Sequence, residues 1–387
     1  MTVGRATSTT DPVGGDADGA SGRGAAPGTE GDGARARLAE GAAPGGRLAG
    51  LRHSTLLRHV LLAVLALLVL DRVAAYDSPF RNSQLASVLI LACAAAGLTL
   101  LTGTSGQISL GHGAFMAIGA YTAALLLQDT ALQLWSTLII AALVTALAGA
   151  LVGVAAARLR GPYLAGATLA LAVGLPALAN WRYLSSTLGG ANGLTVVSPG
   201  PPASFGQNFT LDRWQVEVCA VPTVIVFLVL ANLGRSRYGR AWRAVRDDEV
   251  AASLSGLPVA RLQVQAFIVS AACAGLAGGL FAFFNGLATP GAFPLSLSLQ
   301  LLTAIVVGGL GSLAGAVYGS LLLVLLPTWA SDLAGTLNLS RDVYANLPLA
   351  VYGVVLILVM LLFPLGIQGL LRRGLGAVRG RRHVPAA

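Results

Sequence analysis

From residue 56 onward the chain alternates long apolar runs with short polar joints. The runs cover roughly 56–76, 85–102, 107–127, 132–157, 162–183, 214–233, 263–285, 297–310, 312–330 and 343–364. No acid and no arginine interrupts residues 82–128, 130–157 or 262–331. A bilayer core asks for about 20 apolar residues per helix, and in lipid a helix satisfies its own backbone polar groups. The pattern predicts an all-α polytopic membrane protein of about nine to ten transmembrane helices. The first run is the weakest, with Arg58 and His59 at one end and Asp71 and Arg72 at the other. Gly308, Gly309 and Gly311 interrupt residues 297–330, which read either as two spans or as one broken, re-entrant element.

Residues 1–55 contain almost no large apolar side chains and are expected to be a disordered tail. The first apolar run also starts too late for a signal peptide. A transmembrane domain over 56–370 and a basic tail over 371–387 complete the expected organisation, with a polar loop at 234–262.

Charge sets the orientation. The chain has 387 residues, a net charge of +9, 25 arginines and no lysine. With ten crossings, 20 of those arginines fall in the two tails, the 158–161 turn and the 234–262 loop. The positive-inside rule then puts both termini and that loop in the cytoplasm. Arginines that bracket apolar spans do not make the clustered surface a nucleic acid needs, so no nucleic-acid partner is expected.

Without lysine the chain cannot supply a Walker-A loop or a Schiff base. It is not expected to be an enzyme, and any ATP-driven step must be hydrolysed by another chain. Cys93, Cys219 and Cys273 are spaced for neither a zinc site nor a disulfide framework, and they read as small core residues. No metal and no cofactor is expected. His53, His59 and His383 lie in arginine-rich flanks and read as solvated, which leaves His112 within a membrane segment. Glu217 is the one acid at depth, too few for a proton-driven pump.

Three stretches carry unusual glycine and polar content. In "TGTSGQISLGHGAFMAIGAYTAALL" (102–126), Gln107, Ser109, His112 and Gly113 are candidates to line a translocation pathway. The alternative is a tightly packed helix pair with glycine at the seam. "GPYLAGATLALAVGLPALANW" (161–181) adds Thr168, with Gly174 and Pro176 expected to kink it. "VGGLGSLAGAVYGSLLLVLLP" (307–327) adds Gly308 and Gly309, and its glycine spacing is like that of 106–121, as an inverted repeat would be. In the external turn "STLGGANGL" (186–194), Asn192 can take a left-handed conformation.

The loop "YGRAWRAVRDDEVAASLSGLP" (238–258) holds three arginines and three acids between apolar spans. Arg240, Arg243 and Arg246 recur every third residue, along one side of a helical turn. Asp247 or Asp248 is suited to an N-cap, Glu249 to the first turn, and Gly256 with Pro258 to a stop. A short helix over 248–255 is expected across the cytoplasmic face. Small Ala251 and Ala252 would let a partner approach. The plain alternative is a solvated positive-inside loop.

These residues resemble a known family, the permease subunits of branched-chain amino acid ABC importers of the LivM type. The resemblance rests on "SGQISLGHGAFMAIGAYTAALL" (105–126), "GPYLAGATLAL" (161–171), "GGANGL" (189–194) and, most specifically, "GRAWRAVRDDEVAASLSGLPVARLQVQAFIVSAACAGLAGGL" (239–280). "VVGGLGSLAGAVYGSLLL" (306–323) and "YGVVLILVMLLFPLGIQGLL" (352–371) complete it. It implies a bacterial inner-membrane half-channel that pairs with a second homologous permease. Two cytoplasmic ABC ATPase subunits would dock beneath, and an extracytoplasmic substrate-binding protein would deliver the amino acid. The segment 239–256 matches the family's coupling loop, with Glu249, Ala251, Ala252 and Gly256 at its core and Arg246 and Asp248 leading. Gln263 and Gln265 stand where the family often has lysine, and Val173, Gly174 and Pro176 replace its polar residues. Members also carry urea and short amides. The rival readings are a stand-alone secondary transporter or facilitator for a small polar solute such as these, and a membrane scaffold without transport.

Overall fold

The computed structural model describes residues 55–129, 132–158, 162–202, 205–206, 209–336, 341–362 and 366–380. The N-terminal tail, and the last seven residues of the C-terminal one, lie outside them, as do His53 and His383. Each predicted apolar run falls on a helix. The helices are α1 (Thr55–Tyr76), α2 (Pro79–Leu98), α3 (His112–Asp129), α4 (Leu134–Ala156), α5 (Pro162–Ala179) and α6 (Leu211–Arg235). They continue as α7 (Arg237–Asp247), α8 (Glu249–Leu254), α9 (Val259–Asn285), α10 (Leu295–Gly308), α11 (Leu313–Thr336), α12 (Arg341–Leu362) and α13 (Gly366–Gly380). Six of these, extended by adjoining turns where present, are long and apolar enough to cross a membrane. This is an all-α polytopic membrane protein.

The core is built around α9, which packs on α4, α3 and α2. Its contacts run through glycine. A Cβ on Gly119 of α3 would strike the backbone of Gly275, and one on Gly278 would strike the Met116 carbonyl. Gly149 and Gly153 of α4 lie against Ala271 and Phe267 in the same way. Lipid tails are as apolar as leucine, so helices associate by close packing, which small residues at the seam permit. Gly119 therefore lies at a seam, and Gly103, where a Cβ would strike the Gly311 nitrogen, is packed as closely against the second break. Cys93, Cys219 and Cys273 are free and buried in this packing.

Two breaks interrupt the spans. After α2 the helix widens into a π turn, Thr99–Thr104, and then unwinds over 105–111, where Gly106 has φ 79°. A left-handed φ of this kind is costly for any residue with a Cβ. The second break, 309–312, turns at Gly309 and Gly311, with φ of 121° and 76°. Beyond it, Gly315 lies against Gly308, and Gly319 against Ala304. Contacts in that order make α10 and α11 an antiparallel hairpin, so residues 297–330 are two helices.

α1 packs along α6. Arg213 of α6 donates to Asp71 at 2.5 Å and faces Glu217 at 3.4 Å, so the acid at depth is paired. At the other end the His59 ring and the Asn232 amide are 2.9 Å apart. His59 is thus half-buried and bonded, not solvated as its arginine-rich flank suggested. The sequence neighbourhood of α1 holds no sign of Asn232, which lies 173 residues away.

At the far end of the bundle, the left-handed positions of the glycine-rich turn are Gly189, Gly190 and Gly193. Asn192 sits inside a 3₁₀ turn instead, because the glycines adopt the strained conformation at lower cost. Residues 194–195 then pair antiparallel with 287–288. Pro176 lies in the last turn of α5, which ends at Ala179 rather than running on to 183.

Candidate functional site

The polar loop folds as two helices at right of way between α6 and α9. Ser236 caps α7, accepting from the Tyr238 and Gly239 amides. Gly239, Trp242 and Val245 form its buried stripe, and the Trp242 indole donates to the Leu262 carbonyl at 2.8 Å. That indole fixes α7 to the first turn of α9.

The arginines lie on the neighbouring stripe and are exposed, but their guanidiniums bond back to nearby backbone. Arg240 donates to the Arg235 carbonyl at 3.1 Å, and Arg243 to the Gly234 carbonyl at 3.0 Å. Both satisfy carbonyls that the end of α6 leaves without a helical partner. Arg246 reaches further. Its Nη1 donates to the Gly103 carbonyl at 2.7 Å, while Nε and Nη2 hold Asp247 at 3.0 and 2.8 Å. Asp247 thereby fixes the guanidinium plane that points Nη1 at the first break. The Arg246 side chain also fills the space beside Gly106, where a Cβ would lie 2.7 Å from Cγ. The second break meets the same point, since a Cβ on Gly311 would lie 3.1 Å from the Gly103 oxygen and 3.9 Å from Arg246 Nη1.

A second connection runs through α8. Glu249 accepts from Gln263 Nε2 at 2.6 Å, and the Gln263 carbonyl accepts from Gln107 at 3.4 Å. Gln107 also donates to Ser105 at 2.7 Å. Gln263, one of the two glutamines at which the resembled family often has lysine, serves as the bridge. Arg246 and Glu249 of the loop thus both end on the segment 103–107.

Asp248 caps α8, its carboxylate accepting from the Val250 and Ala251 amides at 2.8 and 3.0 Å. Gly256, with φ 80°, ends it, and the space where its Cβ would be is open. Ala251 is exposed, but Ala252 is 5% exposed and packs inward, so it offers no surface to a partner. The outward side chains are Val250 and Leu254, 68% and 83% exposed. They are spaced i, i+4, which puts them on one face. The sequence "EVAASL" carries that spacing on its face, with two small alanines between the large side chains. Replacing Asp248 with Ala should remove about 1 kcal/mol from this cap. Faster hydrogen exchange at the Val250 and Ala251 amides would register it, and unchanged exchange would mean that α8 is held by packing alone.

The candidate pathway residues cluster around the start of α3. Ser109, His112 and Thr168 are fully buried, and Gln107 is 5% exposed. Thr168 accepts from the Leu110 amide at 3.0 Å, Ser109 from the Gly111 amide at 3.3 Å, and Ser298 from the Gly113 amide at 2.9 Å. His112 is 3.0 Å from the Ala94 carbonyl through Nε2, while its Nδ1 has no partner. These groups hold the unwound segment 105–111 shut against α5 and α10. Gly308 and Gly309 stand apart from them, at the second break.

A family model described as the branched-chain amino acid transport system permease component matches residues 82–363. The high-affinity branched-chain amino acid transport system permease protein LivM of Salmonella typhimurium is 36% identical over 253 residues, 59% of this chain and 58% of that protein. The LivM protein of Escherichia coli is 33% identical over 74% of this chain and 70% of its own length. The permease protein BraD of Pseudomonas aeruginosa, of a transport system with the same description, is 28% identical over 71% of this chain and 90% of itself. No solved structure matches. With the all-α membrane architecture and a matched region running from the start of α2 to the end of α12, the chain belongs to the branched-chain amino acid permease family.

Proposed function

We propose that this chain is the membrane-spanning subunit of an ABC importer for branched-chain amino acids, with α8 as the surface its ATPase grips. The observation that carries the reading is a capped helix with two exposed apolar side chains, braced from behind on the first break. A large aliphatic pair exposed at i, i+4 on so short a helix marks a contact face. The arginines do not belong to that face: Arg240 and Arg243 fasten α7 to α6, and Arg246 passes displacement of the loop to Gly103.

In this scheme two cytoplasmic ATPase subunits serve this chain and a second homologous permease, and an extracytoplasmic binding protein delivers the amino acid. Both termini and the loop 234–262 face the cytoplasm of a bacterial inner membrane, in keeping with the arginine distribution. Closure of the ATPases pushes α7 and α8. Arg246 and the Glu249–Gln263–Gln107 connection then shift the segment 103–107, releasing the sealed residues Ser109, His112, Gly113 and Thr168 to line the route. Gly308 and Gly309 let the second break follow. The substrate class rests on the relatives.

Reconstituted uptake of leucine is expected to require ATP, the ATPase subunits and the binding protein. Val250→Asp with Leu254→Asp should abolish uptake and co-purification of the ATPase, with normal insertion of the chain. Uptake by the chain alone on an ion gradient would replace this reading with a stand-alone transporter, and full ATPase retention by the double variant would remove α8 from the docking face.

A further inference from the structure

Two cavities meet at the arginine-rich end of the bundle. The first, of about 390 Å³, is lined by Arg235, Arg243 and Arg372, by Thr99 of the π turn, and by Gln368 and Ser312. No carboxylate lines it. Arg243 uses one N–H on the Gly234 carbonyl, and Arg235 and Arg372 have no side-chain partner among the described residues. Thr99 is 2% exposed, yet its hydroxyl has no hydrogen-bond partner. Thr122 and Thr145, also in helices, bond back to a carbonyl four residues earlier. The Gln368 Oε1 is likewise buried and unpartnered. A buried hydroxyl left unsatisfied beside three cations is costly unless something from outside completes it.

The second cavity, of about 600 Å³, adjoins the first between α1, α2, α6 and α11, with His59, Ala231 and Leu313 in the lining of both. Beyond His59 its lining is almost wholly apolar, from Leu62 and Ala66 to Phe227 and Val317. The one other polar side chain in it, Thr223, is already bonded to the Leu89 carbonyl at 3.2 Å. A cationic chamber beside a long apolar groove has the division of chemistry of a phospholipid.

We propose that the joined cavities hold one anionic phospholipid of the adjoining leaflet. Its phosphodiester lies among Arg235, Arg243 and Arg372, where guanidinium donors match phosphate oxygens. Thr99 donates to a phosphate oxygen, and Gln368 Oε1 accepts from a hydroxyl of the headgroup, which favours a phosphoglycerol. One acyl chain occupies the groove. The lipid head then touches both breaks at once, through Thr99 in the π turn of the first and Ser312 at the end of the second.

The test is native mass spectrometry of the full chain released from bilayers of equal dioleoyl-phosphatidylglycerol and dioleoyl-phosphatidylcholine. Wild type is expected to retain one phosphatidylglycerol. Arg235→Ala with Arg372→Ala should lower retention by about tenfold or more, and Ala66→Trp, which fills the groove, should lower it comparably. Circular dichroism and gel filtration identify a variant that has lost its fold, and in that case Gln368→Leu, expected to weaken retention of the phosphoglycerol lipid selectively, provides the readout. Equal retention of both lipids, or retention indifferent to the arginines, overturns the proposal. Inorganic phosphate that displaces the lipid fully, with no effect of Ala66→Trp, makes the chamber a free-phosphate site and overturns it too. Loss of the lipid on assembly with the second permease would give the groove to that partner instead.

Discussion

Arg246→Ala is expected to leave ATP hydrolysis running in the assembled transporter while uptake falls by about tenfold or more. The estimate follows from the loss of a hydrogen bond to a charged donor, about 1.5–3 kcal/mol. Arg246 Nη1 is the direct side-chain link from the loop to the Gly103 carbonyl, at 2.7 Å. Without it, Gly103 loses its donor and the pocket beside Gly106 empties. The docking face proposed on α8 is untouched, because Asp248 still caps it and Val250 and Leu254 still point outward. The ATPase therefore binds and turns over, but its stroke reaches the first break only through the longer Glu249–Gln263–Gln107 connection. Arg240→Ala is the matched control: its guanidinium ends on the Arg235 carbonyl of α6 and not on a break. The quantity to measure is ATP hydrolysed per leucine imported in proteoliposomes. An unchanged ratio in Arg246→Ala would remove the side chain from the coupling route.

The largest effect on the fold is expected at Gly278. Its missing side chain faces the Met116 carbonyl, a backbone atom that cannot swing aside. Gly278→Leu must separate α3 from α9, and over-packing of this kind costs about 1–3 kcal/mol even where side chains can adjust. Here a whole seam has to open, and Gly275 on Gly119 opens with it. Little folded protein should be recovered, and what is recovered should melt well below wild type in detergent. Gly174→Leu makes the comparison, since no atom lies within 4 Å of its Cβ position. Equal melting of the two variants would mean the seam is not closed by contact.

The spans were readable from sequence because charge is excluded from lipid, so its absence over 82–128 or 262–331 marks membrane directly. The cap at Asp248 and the stop at Gly256 were readable because they are local, each made within a few residues. What could not be read is direction. A three-residue spacing puts Arg240, Arg243 and Arg246 on one side of a helix but does not say whether that side meets water or protein. Trp242 decides it, through a bond to Leu262 that sequence spacing does not reveal. For the same reason small size alone suggests a partner surface for Ala252 and an arginine-rich flank suggests solvent for His59, whereas the fold buries the first and Asn232 bonds the second. The glycines divide in a way composition cannot foresee: Gly119 packs on Gly275, Gly103 on Gly311, and Gly106 makes room for Arg246.

The glycine seam has a consequence for where cargo can travel. Between α3, α4 and α9 backbone meets backbone, and a single methyl group finds no room at Gly119, Gly275 or Gly278. A free amino acid, bulkier than the side chain it carries, cannot thread such a block. On the proposed reading, a route lined by His112 and Gly113 can only run along the faces of these helices that lie outside that seam.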